Sequence, residues 1–322
     1  MESLRQRSPF LPLPAGVLAF LAVFAALYLA AAAVAEFRVG RAGKDSAMQR
    51  LLAAQGAEAD WLVLGASHAL PLDYGDVPAR LRDETGLTMI VLAEVGAGPL
   101  YSDFALRQAL KDLQVRNILY VADSFAFQSA EWNERRIGDR KLLRRTPLRV
   151  ETLVTVAGMV ATEGVAPGAL LDYATAFSKL NPPDRFPRDD WRGADTFDRR
   201  FRPSRHATAA RIDYLFPEPP SAAAIARYLG VLDGMIARAR ALGVAVTVAR
   251  LPVPEAFRAA LPAEAAFDAA LQERLAALGV PLYDWSAALD LPALYFDTDH
   301  LNRDGVARLY EDLLRPVLAP GG

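Results

Sequence analysis

Trp61-Leu62-Val63-Leu64-Gly65-Ala66-Ser67-His68 is a run of four apolar residues that ends in two small residues, a hydroxyl and an imidazole. The apolar part predicts a buried strand, and the small residues predict a sharp turn that exposes Ser67 at the strand's carboxyl end. Working outward, further short apolar runs lie at Thr88–Ala93, Ile118–Ala122, Val244–Leu251 and Pro281–Tyr283. Helical patterns separate them, at 101–113, 222–241, 263–278 and 303–315, with an amphipathic stretch at 45–56. Strands that alternate with helices of ten or more residues predict a parallel sheet covered on both faces. The expected fold is therefore a three-layer α/β/α sandwich with about five parallel strands.

The alternation breaks between Ser124 and Pro220. Glu134–Arg149 holds seven basic residues, Val150–Leu180 reads as helical and apolar, and Asn181–Pro220 mixes eight arginines with seven acids. An insertion of this length is either a functional lid or a solvated excursion. Over the whole chain of 322 residues, 36 Lys and Arg face 38 Asp and Glu, for a net charge of −2. That balance argues against a nucleic-acid binder, which needs a basic excess. Cysteine is absent, which excludes disulfides, thiolate metal sites and a Cys nucleophile. The three histidines are His68, His206 and His300.

Gly16–Ala35 is twenty residues without a charge, long enough as a helix to cross about 30 Å of hydrocarbon. It reads as a membrane anchor. The alternative is a cleaved signal peptide, for which Ala33-Val34-Ala35 would be the cleavage site. Arg5 and Arg7 precede the segment and Arg38, Arg41, Lys44 and Arg50 follow it, so charge alone does not orient it. The expected organisation is an anchor and juxtamembrane segment at 1–45, then an α/β domain at 46–322 with its insertion at 124–220.

Two local patterns carry chemistry. Gly65-Ala66-Ser67-His68 places a hydroxyl where open α/β sheets bind ligands, though a plain turn or helix cap has the same look. Phe296-Asp297-Thr298-Asp299-His300-Leu301-Asn302 precedes the last helix. Asp297 and His300 could there form the carboxylate–imidazole pair that a serine nucleophile requires. The plainer reading makes His300 a helix-entry residue and Asn302 the N-cap. His300 through Glu311 follows EF-hand spacing, except that position one is His, a poor calcium ligand. Gly96-Ala97-Gly98 lacks the third glycine of a dinucleotide loop.

Taken together, a G-x-S after strand one and a D-x-x-H before the last helix resemble the SGNH, or GDSL-like, hydrolase superfamily, over about residues 58–318. The flavodoxin-like layering of that superfamily agrees with the strand pattern. The resemblance implies Ser67 as nucleophile, His300 as general base and Asp297 as its orienting acid. It implies an oxyanion hole from the Ser67 N–H, Gly96 or Gly98, and an asparagine after strand three. Here that last position reads Asp123-Ser124, so Ser124 becomes the substitute donor. His68 and Asp123 stand as candidate substrate contacts. Classical α/β-hydrolases prefer G-x-S-x-G, whereas position 69 is Ala.

One membrane helix with a divergent domain looks like the anchored extracytoplasmic members that work beside membrane-bound O-acyltransferases, in teichoic acid D-alanyl transfer and alginate acetylation. That resemblance implies an esterase or O-acyltransferase acting on a cell-envelope polysaccharide from the outer side of the inner membrane. The implied partners are an envelope glycan or acylated substrate, a membrane O-acyltransferase and the bilayer through residues 16–35, without nucleic acid, metal or organic cofactor. The basic run at 135–149 would suit an anionic glycan or lipid headgroups, or would be a solvated helix face. The competing reading is a non-catalytic glycan-binding or assembly partner with the same fold.

Overall fold

The computed structural model describes residues 14–41, 43, 45–181 and 193–320. Arg5, Arg7, Lys44 and part of the insertion (182–192) lie outside the described residues. Five strands form one sheet: β1 (Glu58–Gly65), β2 (Met89–Val91), β3 (Gln114–Val121), β4 (Ala245–Arg250) and β5 (Leu282–Asp284). All neighbours are parallel, in the order β2-β1-β3-β4-β5. The chain builds outward from β1 to β2 and then returns to the other side of β1 for β3. That reversal is the switch point of a flavodoxin-like sheet, where ligands bind beyond the strand carboxyl ends.

Side chains alternate across the sheet. Leu62, Leu64, Ile118, Tyr120, Val246 and Val248 enter one core, while Trp61, Val63, Leu119, Val121 and Ala249 enter the other. Both faces are apolar because helices cover both. β2 keeps only three residues of the expected run, although the backbone stays bonded to β1 beyond it, with Leu92 N–H on the Val63 carbonyl at 2.8 Å and Glu94 N–H on the Gly65 carbonyl at 3.2 Å.

The helices that matter for the site and the membrane are, in chain order, α1 (Ala15–Arg41), α2 (Ala47–Ala53), α3 (Val77–Thr85), α4 (Pro99–Asp112), α5 (Val150–Thr162), α6 (Pro167–Thr175), α7 (Arg205–Leu215), α8 (Ala222–Ala241), α9 (Glu264–Leu278) and α10 (Arg303–Leu309). Their starts follow capping chemistry: Ser46 and Gln49 form a capping box on α2, Pro99 opens α4, and Ser204 and Ser221 cap α7 and α8. The last helix does not run evenly to 315. After α10 the backbone widens into a π-turn at Tyr310–Leu314.

The insertion is helical rather than irregular across its described residues, and it is fastened to the sheet domain. Arg149 pairs with Asp112 at the end of α4 at 2.6 Å, and Thr152 on α5 bonds Gln108 on α4. Trp132 donates its indole N–H to the Leu215 carbonyl at 2.8 Å, which holds α7 against the loops above the sheet. The basic run is mostly spent on folding: Arg135 pairs with Glu131 and Glu218, Arg136 with Asp139, and Arg149 with Asp112.

Candidate functional site

β1 ends at Gly65 with φ +143°, a conformation that side chains disfavour. A Cβ there would sit 2.7 Å from the Val121 carbonyl oxygen, so glycine lets β1 and β3 close up at their carboxyl ends. The chain then enters a single 3-10 turn, Ser67–Ala69, with Ser67 and His68 both buried. Asp123 leaves β3 beside it and precedes a second 3-10 turn, Ser124–Phe127. Both turns sit at the switch point.

The third contribution is the loop before α10. A bridge between Tyr295 and Leu301 pinches it, and Phe296 N–H donates to the His300 carbonyl at 3.0 Å. Inside, Asp297 Oδ1 accepts from the backbone N–H groups of Asp299 and His300, at 3.1 and 2.9 Å. The same carboxylate meets His300 Nδ1 at 2.9 and 3.0 Å. Nδ1 therefore carries the proton, and Nε2 becomes the basic nitrogen. Phe296 stacks on the imidazole, with centroids 5.6 Å apart. Asn302 caps α10 through Gly305 N–H at 3.0 Å and also donates to the Ala293 carbonyl at 2.8 Å. His300 is thus more than a helix-entry residue, while Asn302 is the cap.

Burial raises the pKa of Asp297, but the His300 charge and hydrogen bond outweigh it and hold the carboxyl below its usual range. Among the described residues, no hydrogen bond joins Ser67 Oγ to His300. Asp297 and His300 are therefore joined as a carboxylate–imidazole pair, with His300 Nε2 buried and not bonded to Ser67.

Sequence reading missed a second network. His68 Nδ1 meets Asp123 Oδ1 at 2.6 Å, and His68 Nε2 meets Asp299 Oδ2 at 3.1 Å. With a carboxylate on each ring nitrogen, both must carry hydrogen and the ring is an imidazolium. Burial opposes that charge, yet Asp123 and then Asp299 overcome it and raise the pKa to about 10. Asp299 is also gripped by Arg211 from α7, with Nε and Nη2 contacts of 3.0 and 2.9 Å to Oδ2. Burial would raise the Asp299 pKa, but Arg211, His300 and His68 hold it well below the usual range. The line Asp123, His68, Asp299, Arg211 alternates in sign and balances its own charge.

The two candidate substrate contacts, His68 and Asp123, are thus bound to each other, and the imidazole beside Ser67 is buried. The two glycines separate as well. Gly98 N–H donates to the Trp132 carbonyl at 2.7 Å, which removes it as an oxyanion donor. Gly96 N–H has no acceptor among the described residues, and its Cα faces the Trp132 ring. Ser124 is buried with its hydroxyl toward Glu264, whose pKa burial raises against that bond.

A ligand atom from each of His68, Asp299 and His300 lies within 4.8 Å of the others, a spacing that could hold a cation. The donor set does not fit one: both His68 nitrogens carry hydrogen, and Arg211 already balances Asp299. The EF-hand-like run is committed elsewhere, with Asp304 on Arg200 and Glu311 on Arg80.

No family model matches the chain, and no curated protein matches it. Among solved structures, it is similar to a candidate acylhydrolase from Bacteroides fragilis NCTC 9343, at 12% identity and a TM-score of 0.42, covering 86% of this chain and 98% of the other.

Proposed function

We propose that the chain is a membrane-anchored, extracytoplasmic SGNH-type esterase or O-acyltransferase that acts on a cell-envelope polysaccharide. The observation that carries this reading is the Asp297–His300 pair, whose imidazole lies with its centroid 4.8 Å from that of His68, the neighbour of the buried Ser67. In the proposed reaction the Ser67 hydroxyl adds to an acyl carbonyl and passes its proton to His300 Nε2. The tetrahedral adduct collapses, the leaving alcohol takes the proton, and an acyl ester remains on Ser67 Oγ. A second hydroxyl, from a glycan or from water, reverses the sequence and restores Ser67. The Ser67 and Gly96 N–H groups are the candidate oxyanion donors. The residues need no metal or organic cofactor for these steps.

The charge network gives specific support to a second reading, in which the fold is retained as a non-catalytic partner of a membrane O-acyltransferase. Gly98 is occupied, which leaves Gly96 alone for the glycine position, and the asparagine is replaced by an ion-paired Asp123, so one of the superfamily's three oxyanion donors is lost. The two readings part on turnover. Full-length protein in detergent, given an aryl acetate with and without an acceptor polysaccharide, should release phenol. Ser67→Ala should lose on the order of 10³-fold or more of that activity. Equal rates for both proteins contradict the enzyme reading, while glycan binding without turnover in either favours the second.

A further inference from the structure

α1 is docked along one stripe and bare elsewhere. Its half-buried residues include Tyr28, Ala32, Ala35 and Val39, spaced by four, three and four, which is one helix face. The partners come from the insertion. Tyr28 donates its hydroxyl to the Thr175 carbonyl at 2.7 Å, Glu36 accepts from Leu148 N–H at 2.6 Å, and Lys179 pairs with Glu36. Docking therefore begins inside the apolar run Gly16–Ala35, not after it. From Tyr28 to Ala35 the helix rises about 10 Å. If that run lies in hydrocarbon, the insertion reaches about 10 Å below the boundary, the depth at which interfacial helices sit.

The insertion's surface suits that depth. Beside the docking stripe it exposes Leu148, Val150, Val154, Leu171 and Phe177, with Val150 71%, Leu171 66% and Val154 61% exposed. Val150 and Val154 are one turn apart on α5, and Leu171 is one turn before Thr175 on α6. Arginines lie on the same segments: Arg38 and Arg41 close α1, Arg140 lies over the Phe177 ring at 5.4 Å, and Arg144 is exposed.

We propose that the α5–α6 part of the insertion is itself embedded in the bilayer interface, with Val150, Val154, Leu171 and Phe177 among the acyl chains and the arginines at anionic headgroups. The domain is then not a body swinging on a tether. It is held at fixed depth and orientation against the lipid surface, with the Ser67 site on the same rigid frame. Apolar burial supplies the attachment, and the arginines snorkel to the headgroups.

This inference rests on α1 crossing a membrane, and one experiment reads the two separately. Because the chain has no cysteine, Leu27→Cys, Val154→Cys, Leu171→Cys and Leu242→Cys can each carry one bimane label. Each replaces an exposed side chain, so folding is undisturbed. Full-length protein is reconstituted in phosphatidylcholine–phosphatidylglycerol vesicles and probed with nitroxide-bearing lipid and with aqueous iodide. Nitroxides near the headgroup should dim the Val154 and Leu171 labels about twofold or more, as at Leu27, while Leu242 responds to iodide instead. Labels at Val154 and Leu171 that follow Leu242 overturn the proposal. Labels shielded from both quenchers also overturn it, since a second copy of the chain then covers the patch. An unquenched Leu27 shows that the span itself is wrong, and the inference falls with it.

Discussion

His68→Gln removes the one member of the buried network that is positive only by protonation. In the folded chain His68 holds its proton to about pH 10, against 6.5 for an unperturbed imidazole. At about 1.4 kcal/mol per pH unit, that gap corresponds to at most roughly 5 kcal/mol of interaction favouring the charged ring. The sign follows from which state keeps the proton. Below pH 6.5 both states are charged and the whole contribution is present; above it the unfolded chain loses the proton first, so rising pH erodes the folded state's advantage. By pH 10 the contribution is gone. Glutamine has no such titration. Wild type and His68→Gln should therefore differ most below pH 6.5 and converge toward pH 10, by about 1.4 kcal/mol for each pH unit between. In thermal unfolding of the full-length protein this is about 2–3 °C per pH unit for a domain of this size. Taking the difference cancels the titrating groups outside this network, while Asp123 and Asp299 lose a cationic partner in the variant. A gap between the two proteins that stays constant from pH 6 to pH 10 would refute a buried imidazolium.

Two further expectations test the frame around it. Arg211→Met takes the guanidinium from the buried Asp299 carboxylate, which keeps only His68, His300 and the Thr298 hydroxyl, and should cost about 3–5 kcal/mol. The same change should release α7, read as faster amide exchange across Arg205–Leu215 while the β1 and β3 amides keep their protection; uniform exchange would show that Arg211 does not fasten the insertion. Gly65→Ala forces a Cβ to 2.7 Å from the Val121 carbonyl and strains a φ of +143°, so it should lower stability by about 3 kcal/mol or more. An unchanged melting temperature would mean that the β1–β3 closure is not tight.

The strands were legible because β1, β3 and β4 each carry a stretch of apolar residues buried on both faces near the carboxyl end, whereas β5 is short and partly exposed. β1, β3, β4 and β5 end within a few residues of where the patterning places them. β2 is shorter than its apolar run, although Leu92 and Glu94 still bond to β1 carbonyls beyond it. Ser67, Asp297 and His300 were legible for a related reason: each declares itself within a few neighbours, as a hydroxyl after a strand or two groups three apart. Arg211 was not. It is one of eight arginines between Asn181 and Pro220, and its partner Asp299 is 88 residues away. The Asp299–His68 contact spans 231 residues, and no local pattern marks it. Asp299 did stand beside His300 in the quoted run, but spacing alone favoured Asp297 as the imidazole's partner. The Gly98 N–H was taken up by a carbonyl from a loop that periodicity does not place. Contacts made by topology, rather than by local spacing, are what the chain's order hides.

The most direct test of the central claim is covalent. A fluorophosphonate reports a serine whose hydroxyl is activated by a neighbouring base, whatever the natural acyl group. With full-length protein in detergent at neutral pH, the account expects one label, mapped by peptide mass to the segment containing Ser67. The label should be lost in Ser67→Ala and strongly slowed in His300→Gln, with both variants unfolding as cooperatively as the wild type. Labelling that persists equally in Ser67→Ala, or a folded wild type that takes no label at all, would contradict Ser67 as the nucleophile.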